Sequence, residues 1–365
     1  MRKIILESPV GPEITVWGKR YLFFGGTDYL GMAGRPEVLE GARKALDWFG
    51  ISSSGSRTST GTNELHLKLE AAISRFAGSE DTVLVSSGYL SMAALIAAVC
   101  EQGDLILIQD DAHSSIRDAV AASGLKNLDF SLRKLETLDK CLDRANQAGS
   151  RIVITVEGVS PLFGTVFPLP EVLALLDRKD FLVLIDDAHA FGVLGEKGRG
   201  TAEFHGYTGP RVLSCSTLSK AFGSFGGCVP GTRALTSSLR KRSLAYNCST
   251  PPPAPVIGAA LAAFEYVNKN TGLIARLREN ACFLKEGLAV IGLPSDNPTV
   301  PIAPLYFNEP EKLEKLSQKL LEEGILAPLV NYPGSPDGGL IRLAVSAAHS
   351  QDQISRLLEC LKKNI

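Results

Sequence analysis

The sequence lacks an excess of either charge: 38 Lys and Arg stand against 39 Asp and Glu over 365 residues. Without a basic surplus, nothing in the totals recruits nucleic acid or an anionic membrane surface. It also lacks a long apolar run. The longest, Leu90 to Cys100, falls far short of the roughly 18 residues a membrane-spanning helix needs. The opening stretch MRKIILESPVGPEITV is cut by Glu7 and Pro9, so it does not read as a signal peptide. The 7 cysteines are odd in number and form no CxxC pair. They predict reduced, mostly buried thiols and a cytoplasmic location. No internal repeat and no low-complexity segment is present.

What remains is ordinary globular composition, 45% hydrophobic and 21% charged. The length suggests two domains. From about residue 66 the pattern alternates: HLKLEAAISRFAG has helical spacing and TVLV is a short apolar run. SMAALIAAVC is helical again, and LILIQ, RIVITVEG, FLVLID and RVLSCS follow as further runs. Such alternation predicts an α/β fold with a mainly parallel sheet covered on both faces. Ligands in such sheets bind beyond the carboxyl ends of the strands. A break falls at CSTPPPAPV, where clustered prolines end any helix or central strand. The expected organisation is an arm over 1–40, a large domain over 41–247 and a smaller C-terminal α/β domain over 255–365. In the arm, VWGKRYLFF reads as a strand pair turning at Gly18-Lys19.

The polar residues of interest follow the apolar runs directly. After TVLV, Ser86-Ser87-Gly88 lead into a helix whose free N–H groups, at Gly88, Tyr89 and Leu90, make an anion site or an ordinary serine cap. Asp186 ends FLVLID, and Asp187 and His189 follow it directly. A carboxylate there could hold a proton on a heterocyclic nitrogen, or simply accept loop amides; a metal site has poor support without a second cluster. His113, in QDDAHSSIRDAV, could stack on a flat ring or be satisfied within the core. In SCSTLSKAFGSFGG, Thr217 offers a hydroxyl, and Lys220, if desolvated, an amine nucleophile. Together these are the parts that pyridoxal 5′-phosphate requires: a phosphate site, a carboxylate for the pyridine nitrogen, a flat neighbour and an anchoring lysine.

The ordered motifs DYLGM, SGSRTSTG with the later His66, SSGY, HSSIRD, VEGV, DDAHAFGVLGEKGRG, TLSKAFG, STPPP and RLAVSAAH resemble the α-oxoamine synthases. The resemblance runs from about Tyr21 to Ile365. It implies the fold-type I pyridoxal-phosphate transferase fold, with a seven-stranded sheet in the large domain. It further implies that Lys220 carries the cofactor and moves the substrate α-proton. Asp186 would pair with the pyridine nitrogen and His189 would lie beside the ring hydroxyl. His113 and Ala188 would lie on either face of the ring. Gly88, Tyr89 and Thr217 would hold the phosphate, and Ser249 and Thr250 would reach it from a second subunit of a homodimer with shared sites. Arg342 would pair with the amino-acid carboxylate, with Thr27 near the substrate. The implied reaction joins a small α-amino acid to an acyl thioester, with loss of carbon dioxide. A dinucleotide-binding reading of FGSFGG fails on spacing.

The sequence departs from the family pattern around the expected substrate. Thr27 stands where asparagine is usual, Pro161 replaces a serine, and Phe163 and Thr165 replace aspartates. Met92 replaces an asparagine in the helix after SSGY. Phe163 and Leu162 are expected either to line an apolar acyl pocket or to fill core.

Overall fold

The computed structural model describes residues 3–176, 180–293, 296–332 and 334–365. Glu13–Val16 (β1) and Lys19–Phe23 (β2) pair antiparallel. Their turn is Trp17-Gly18, one residue earlier than the sequence suggests. Both residues adopt positive φ, 52° and 72°, the geometry that fits a two-residue hairpin to the twist of its strands.

The large sheet takes Asp81–Val85 (β3), Leu105–Gln109 (β4), Lys126–Phe130 (β5), Ile152–Glu157 (β6), Phe181–Asp186 (β7), Val212–Thr217 (β8) and Gly227–Gly231 (β9). Its order is β3-β9-β8-β7-β6-β4-β5. Only β9 runs against its neighbours. This is the mainly parallel seven-stranded sheet expected. Every residue of β6 is buried, as a strand covered on both faces requires.

The helices that matter here begin with Pro36–Phe49 (α1) and Glu64–Ala77 (α2), followed by Ser91–Val99 (α3) and Ser114–Ser123 (α4). Pro36 sits in the first turn of α1, where its missing N–H costs nothing. Asn63 and His66 form a reciprocal capping box at the start of α2. His66 also reaches the carbonyl of Pro252, at 3.2 Å, so this motif histidine pins the STPPP segment.

The C-terminal region contains Ile302–Leu305 (β10), Ile325–Leu326 (β11), Leu329–Val330 (β12) and Leu340–Ala344 (β13). β13 lies between β10 and β12, antiparallel to both. β11 instead joins the arm, parallel to β2. Leu22 and Phe24 of the arm share an apolar core with Leu316, Leu343 and Leu357. The helix Ala254–Lys269, which follows the proline break, packs along α1 and α2. Arm and C-terminal region therefore close on one another at the carboxyl edge of the large sheet, where Ala347 N donates to Tyr29 O.

Candidate active site

The carboxyl ends of β3, β6, β7 and β8 converge. After β3 the chain makes a single 3-10 turn, Gly88–Leu90, before α3. A Cβ built at Gly88 would lie 2.5 Å from the Thr217 Oγ1, so only glycine lets the turn sit against the end of β8. Gly227 serves the same turn from β9: a Cβ there would fall 2.4 Å from Ser87 O. Gly223, in the same FGSFGG stretch, makes room instead for the arm, where a Cβ would fall 2.3 Å from Ala33 N. Thr217 Oγ1 also accepts from Ser219 N at 3.2 Å. Leu90 N, expected to be free, donates to Ser87 O at 3.1 Å, whereas among the described residues the Gly88 and Tyr89 amides have no partner. These two beside the Thr217 hydroxyl form a small anion cradle.

Asp186 ends β7 in register with Glu157 on β6 and Cys215 on β8. Its carboxylate accepts from Ala188 N at 3.0 Å. Asp187 serves structure instead: buried, it accepts from the Thr201 hydroxyl at 2.6 Å and from Thr201 N, tying down the GVLGEKGRG loop. Burial pushes its carboxyl up to about 7. Lys220 follows β8 and projects toward the same edge. Burial lowers its amine to about 8, against the opposing pull of Asp186 and Glu157. Desolvation also raises Asp186, and raises Glu157 well above the usual carboxylate range with Asp186 adding to the effect.

His113 caps α4, its Nδ1 accepting from Ser115 N at 3.2 Å. That contact fixes the ring, and partial desolvation lowers its basicity. Tyr89 meets it edge-on, with ring centroids 6.1 Å apart, and gives its hydroxyl to Asp118. His189 is buried; its Nδ1 lies 2.7 Å from the Tyr29 hydroxyl. Arg342, buried in β13, donates from Nη2 to that same hydroxyl at 3.0 Å and from Nε to the Pro161 carbonyl at 2.5 Å. Thr27 enters through its backbone, accepting from Tyr29 N at 2.8 Å. Ser249 and Thr250 reach Ser86 within one chain: the Ser249 and Ser86 hydroxyls are 2.7 Å apart, and Ser86 donates to Thr250 O.

The departures separate in space. Met92 is core, buried among Val83, Ile106 and Val229. Leu162 is buried. Phe163 is not core: its ring meets Tyr306 edge-on at 6.3 Å and lies 5.1 Å from the Arg133 guanidinium. Two site residues were missed by sequence reasoning, Tyr29 and Glu157. Both lie inside quoted motifs, DYLGM and VEGV, but no local pattern says that Tyr29 meets a histidine 160 residues away.

These residues fit pyridoxal 5′-phosphate. The Gly88–Thr217 cradle suits its phosphate, Asp186 suits a protonated pyridine nitrogen, and Lys220 is a desolvated amine within the field of Asp186.

Comparison with known proteins gives the same answer. The profile of the family "aminotransferase class I and II" matches residues 20–361. An 8-amino-7-oxononanoate synthase of Thermosipho melanesiensis is 33% identical over 359 residues, covering 98% of this chain and 92% of that protein. One of Nitrosococcus oceani is 35% identical over 366 residues, covering 98% and 95%. Among solved structures, serine palmitoyltransferase from S. paucimobilis with a bound PLP–myriocin aldimine superposes with a TM-score of 0.91 at 28% identity, covering 99% of this chain and 92% of the other. The 8-amino-7-oxononanoate synthase of Francisella tularensis gives 0.79 at 25% identity, covering 94% and 97%.

Proposed function

The chain belongs to the aminotransferase class I and II family, in its α-oxoamine synthase branch, and from that premise we propose that it condenses a small α-amino acid with an acyl thioester. The cofactor is pyridoxal 5′-phosphate, which when bound supplies an electron sink for the carbanion formed at the amino acid's α-carbon. The observation that carries this reading is the meeting of Lys220, Asp186, the Gly88–Thr217 cradle and Arg342 at one edge, in a chain similar over nearly its whole length to 8-amino-7-oxononanoate synthases.

The residues divide the work. Lys220 is the anchoring amine and then the base for the α-proton; an amine near 8 is half free at slightly alkaline pH. Asp186 keeps a proton on the pyridine nitrogen by charge. Gly88, Tyr89 and Thr217 orient the phosphate, and Ala188 and His113 flank the ring. Arg342 offers a planar pair of donors to the amino-acid carboxylate. In the overall balance, the α-carbon exchanges its proton for the bond to the acyl carbon, and the thiol departs with that proton. The carboxylate leaves as carbon dioxide, with a proton from solvent taking its place on the α-carbon.

The product name of the similar synthases suggests the substrates. In 8-amino-7-oxononanoate, carbons 8 and 9 with the amine are what alanine leaves after losing its carboxylate. Carbons 1 to 7 are a seven-carbon acyl chain ending in a carboxylate. A second reading, long-chain acyl transfer to serine, is favoured by the closer superposition on serine palmitoyltransferase; glycine with a short acyl group is a third specificity. Thiol release measured for glycine, alanine and serine against acyl-CoAs of graded length, and against carrier-protein thioesters, separates them. Alanine with the seven-carbon ω-carboxyl thioester should dominate; release confined to serine and long chains would select the second reading. No release from any pair would overturn the function.

The protein is further proposed to act as a cytoplasmic homodimer with shared sites. Seven free cysteines suit a reducing compartment, and no helix among the described residues is long and apolar enough to cross a membrane. Trp48 and Ile51 at the end of α1 are 76% and 66% exposed, apolar surface of the kind a second copy covers. Ser249 and Thr250 would then serve the partner's phosphate. Light scattering after gel filtration tests the assembly.

A further inference from the structure

We infer that Tyr29 is a positioning residue that fixes the proton of His189 on Nε2 and ties that ring to Arg342. The hydroxyl of Tyr29 has one proton and two lone pairs. Arg342 can only donate, so its Nη2 contact at 3.0 Å occupies a lone pair. The other partner of the hydroxyl is His189 Nδ1 at 2.7 Å, and among the described residues it has no third. If Nδ1 carried the proton, both lone pairs would be filled and the phenolic proton would point at nothing. Tyr29 is only 1% exposed, and a donor stranded there would lose its hydrogen bonds to water with nothing in return. The proton of Tyr29 therefore goes to Nδ1. His189 is neutral in this setting, because burial and the neighbouring cations Lys220 and Arg342 oppose a second proton. Its single N–H is then Nε2–H. That nitrogen has no protein partner among the described residues and is not among the sealed polar atoms, so it is a donor offered to the cleft.

The arrangement spans the molecule. Tyr29 comes from the arm, His189 from the loop after β7, Arg342 from β13, and the Pro161 carbonyl that takes Arg342 Nε from the segment after β6. Arg342 is therefore held before any substrate arrives, with its fork set by two fixed acceptors. What the donor meets rests on the function proposed above: the ring oxygen of the cofactor would accept from Nε2–H, and the same tyrosine would set the arginine that takes the substrate carboxylate.

The test reads the tautomer directly, in cofactor-free protein, so it does not depend on the reaction. Histidine-selective 15N NMR on a chain with only 5 histidines, assigned with His189→Gln, should show His189 neutral, Nε2 protonated and Nδ1 accepting. In Tyr29→Phe, which keeps the ring and removes only the oxygen, that single state should give way to a mixture. A wild-type His189 protonated on Nδ1, or a tautomer unchanged in Tyr29→Phe, overturns the inference. In the loaded enzyme, Tyr29→Phe should raise the KM for the amino acid about tenfold with the thioester KM unchanged; equal shifts in both would contradict the link to Arg342. A protein without the proposed activity would still report the tautomer.

Discussion

Asp186 and Glu157 are register partners on β7 and β6, so two carboxyl groups bear on the Lys220 amine from one end of the sheet. Burial lowers that amine and the carboxyls hold it up at about 8. Asp186→Asn removes the larger of the two opposing charges and should lower the midpoint further. Glu157→Gln should move it less, in the same direction. The pH dependence of Lys220 acylation in cofactor-free protein, read by peptide mapping, measures both. A rise in either variant would contradict this electrostatic account.

Gly88 and Thr217 leave no room for a side chain between them. Gly88→Ala should weaken pyridoxal 5′-phosphate binding at least about tenfold, roughly 1.4 kcal/mol. Gly272→Ala, whose Cβ meets nothing within 4 Å, should leave it unchanged. Spectroscopic titration of the cofactor into the stripped protein decides.

Phe163 presents its ring to Tyr306 and Arg133 at a half-buried position, where the family pattern has an acidic residue. Phe163→Ala should cut kcat/KM for the preferred acyl thioester by about 10- to 100-fold, the range for losing apolar contact in a pocket. The amino-acid KM should hold. Steady-state kinetics with each substrate varied in turn checks the split.

His349 turns the SAAH motif into a clamp. Its Nδ1 accepts from Ser346 N at 3.0 Å, which leaves Nε2–H to donate to Phe23 O at 3.1 Å, and the ring stacks on Phe24. Burial lowers its pKa to about 4, while the unfolded chain takes up the proton near 6.5. Its contribution to stability is thus complete above 6.5 and lost as the pH falls toward 4, by up to about 3 kcal/mol. Asp187 and Asp28, raised by burial to about 7 and about 6, act in the opposite sense. They cancel in a comparison with His349→Gln. The stability advantage of wild type over the variant, from urea unfolding, should therefore shrink between pH 7 and pH 4.5.

Much of this was legible in the sequence because parallel strands buried on both faces write themselves as short apolar runs, and TVLV, LILIQ, RIVITVEG, FLVLID and RVLSCS all became strands. β9 was not, since Gly227 and Pro230 carry no strand signal; it exists because β3 and β8 offer it pairing on both sides. The hairpin turn was misplaced by one residue because Trp17 adopts a positive φ that a large side chain rarely takes. Asp186 and Thr217 announced themselves by closing apolar runs, and Lys220 by following one. Tyr29 did not, because its role depends on an arm folding back across the large sheet. No periodicity encodes that.

The central claim is that Lys220 anchors pyridoxal 5′-phosphate. Borohydride reduction of the purified, cofactor-loaded protein, followed by peptide mass mapping, tests it in one step. The account predicts a phosphopyridoxyl group on Lys220 and its disappearance in Lys220→Ala. An adduct on another lysine, retained in that variant, would contradict it.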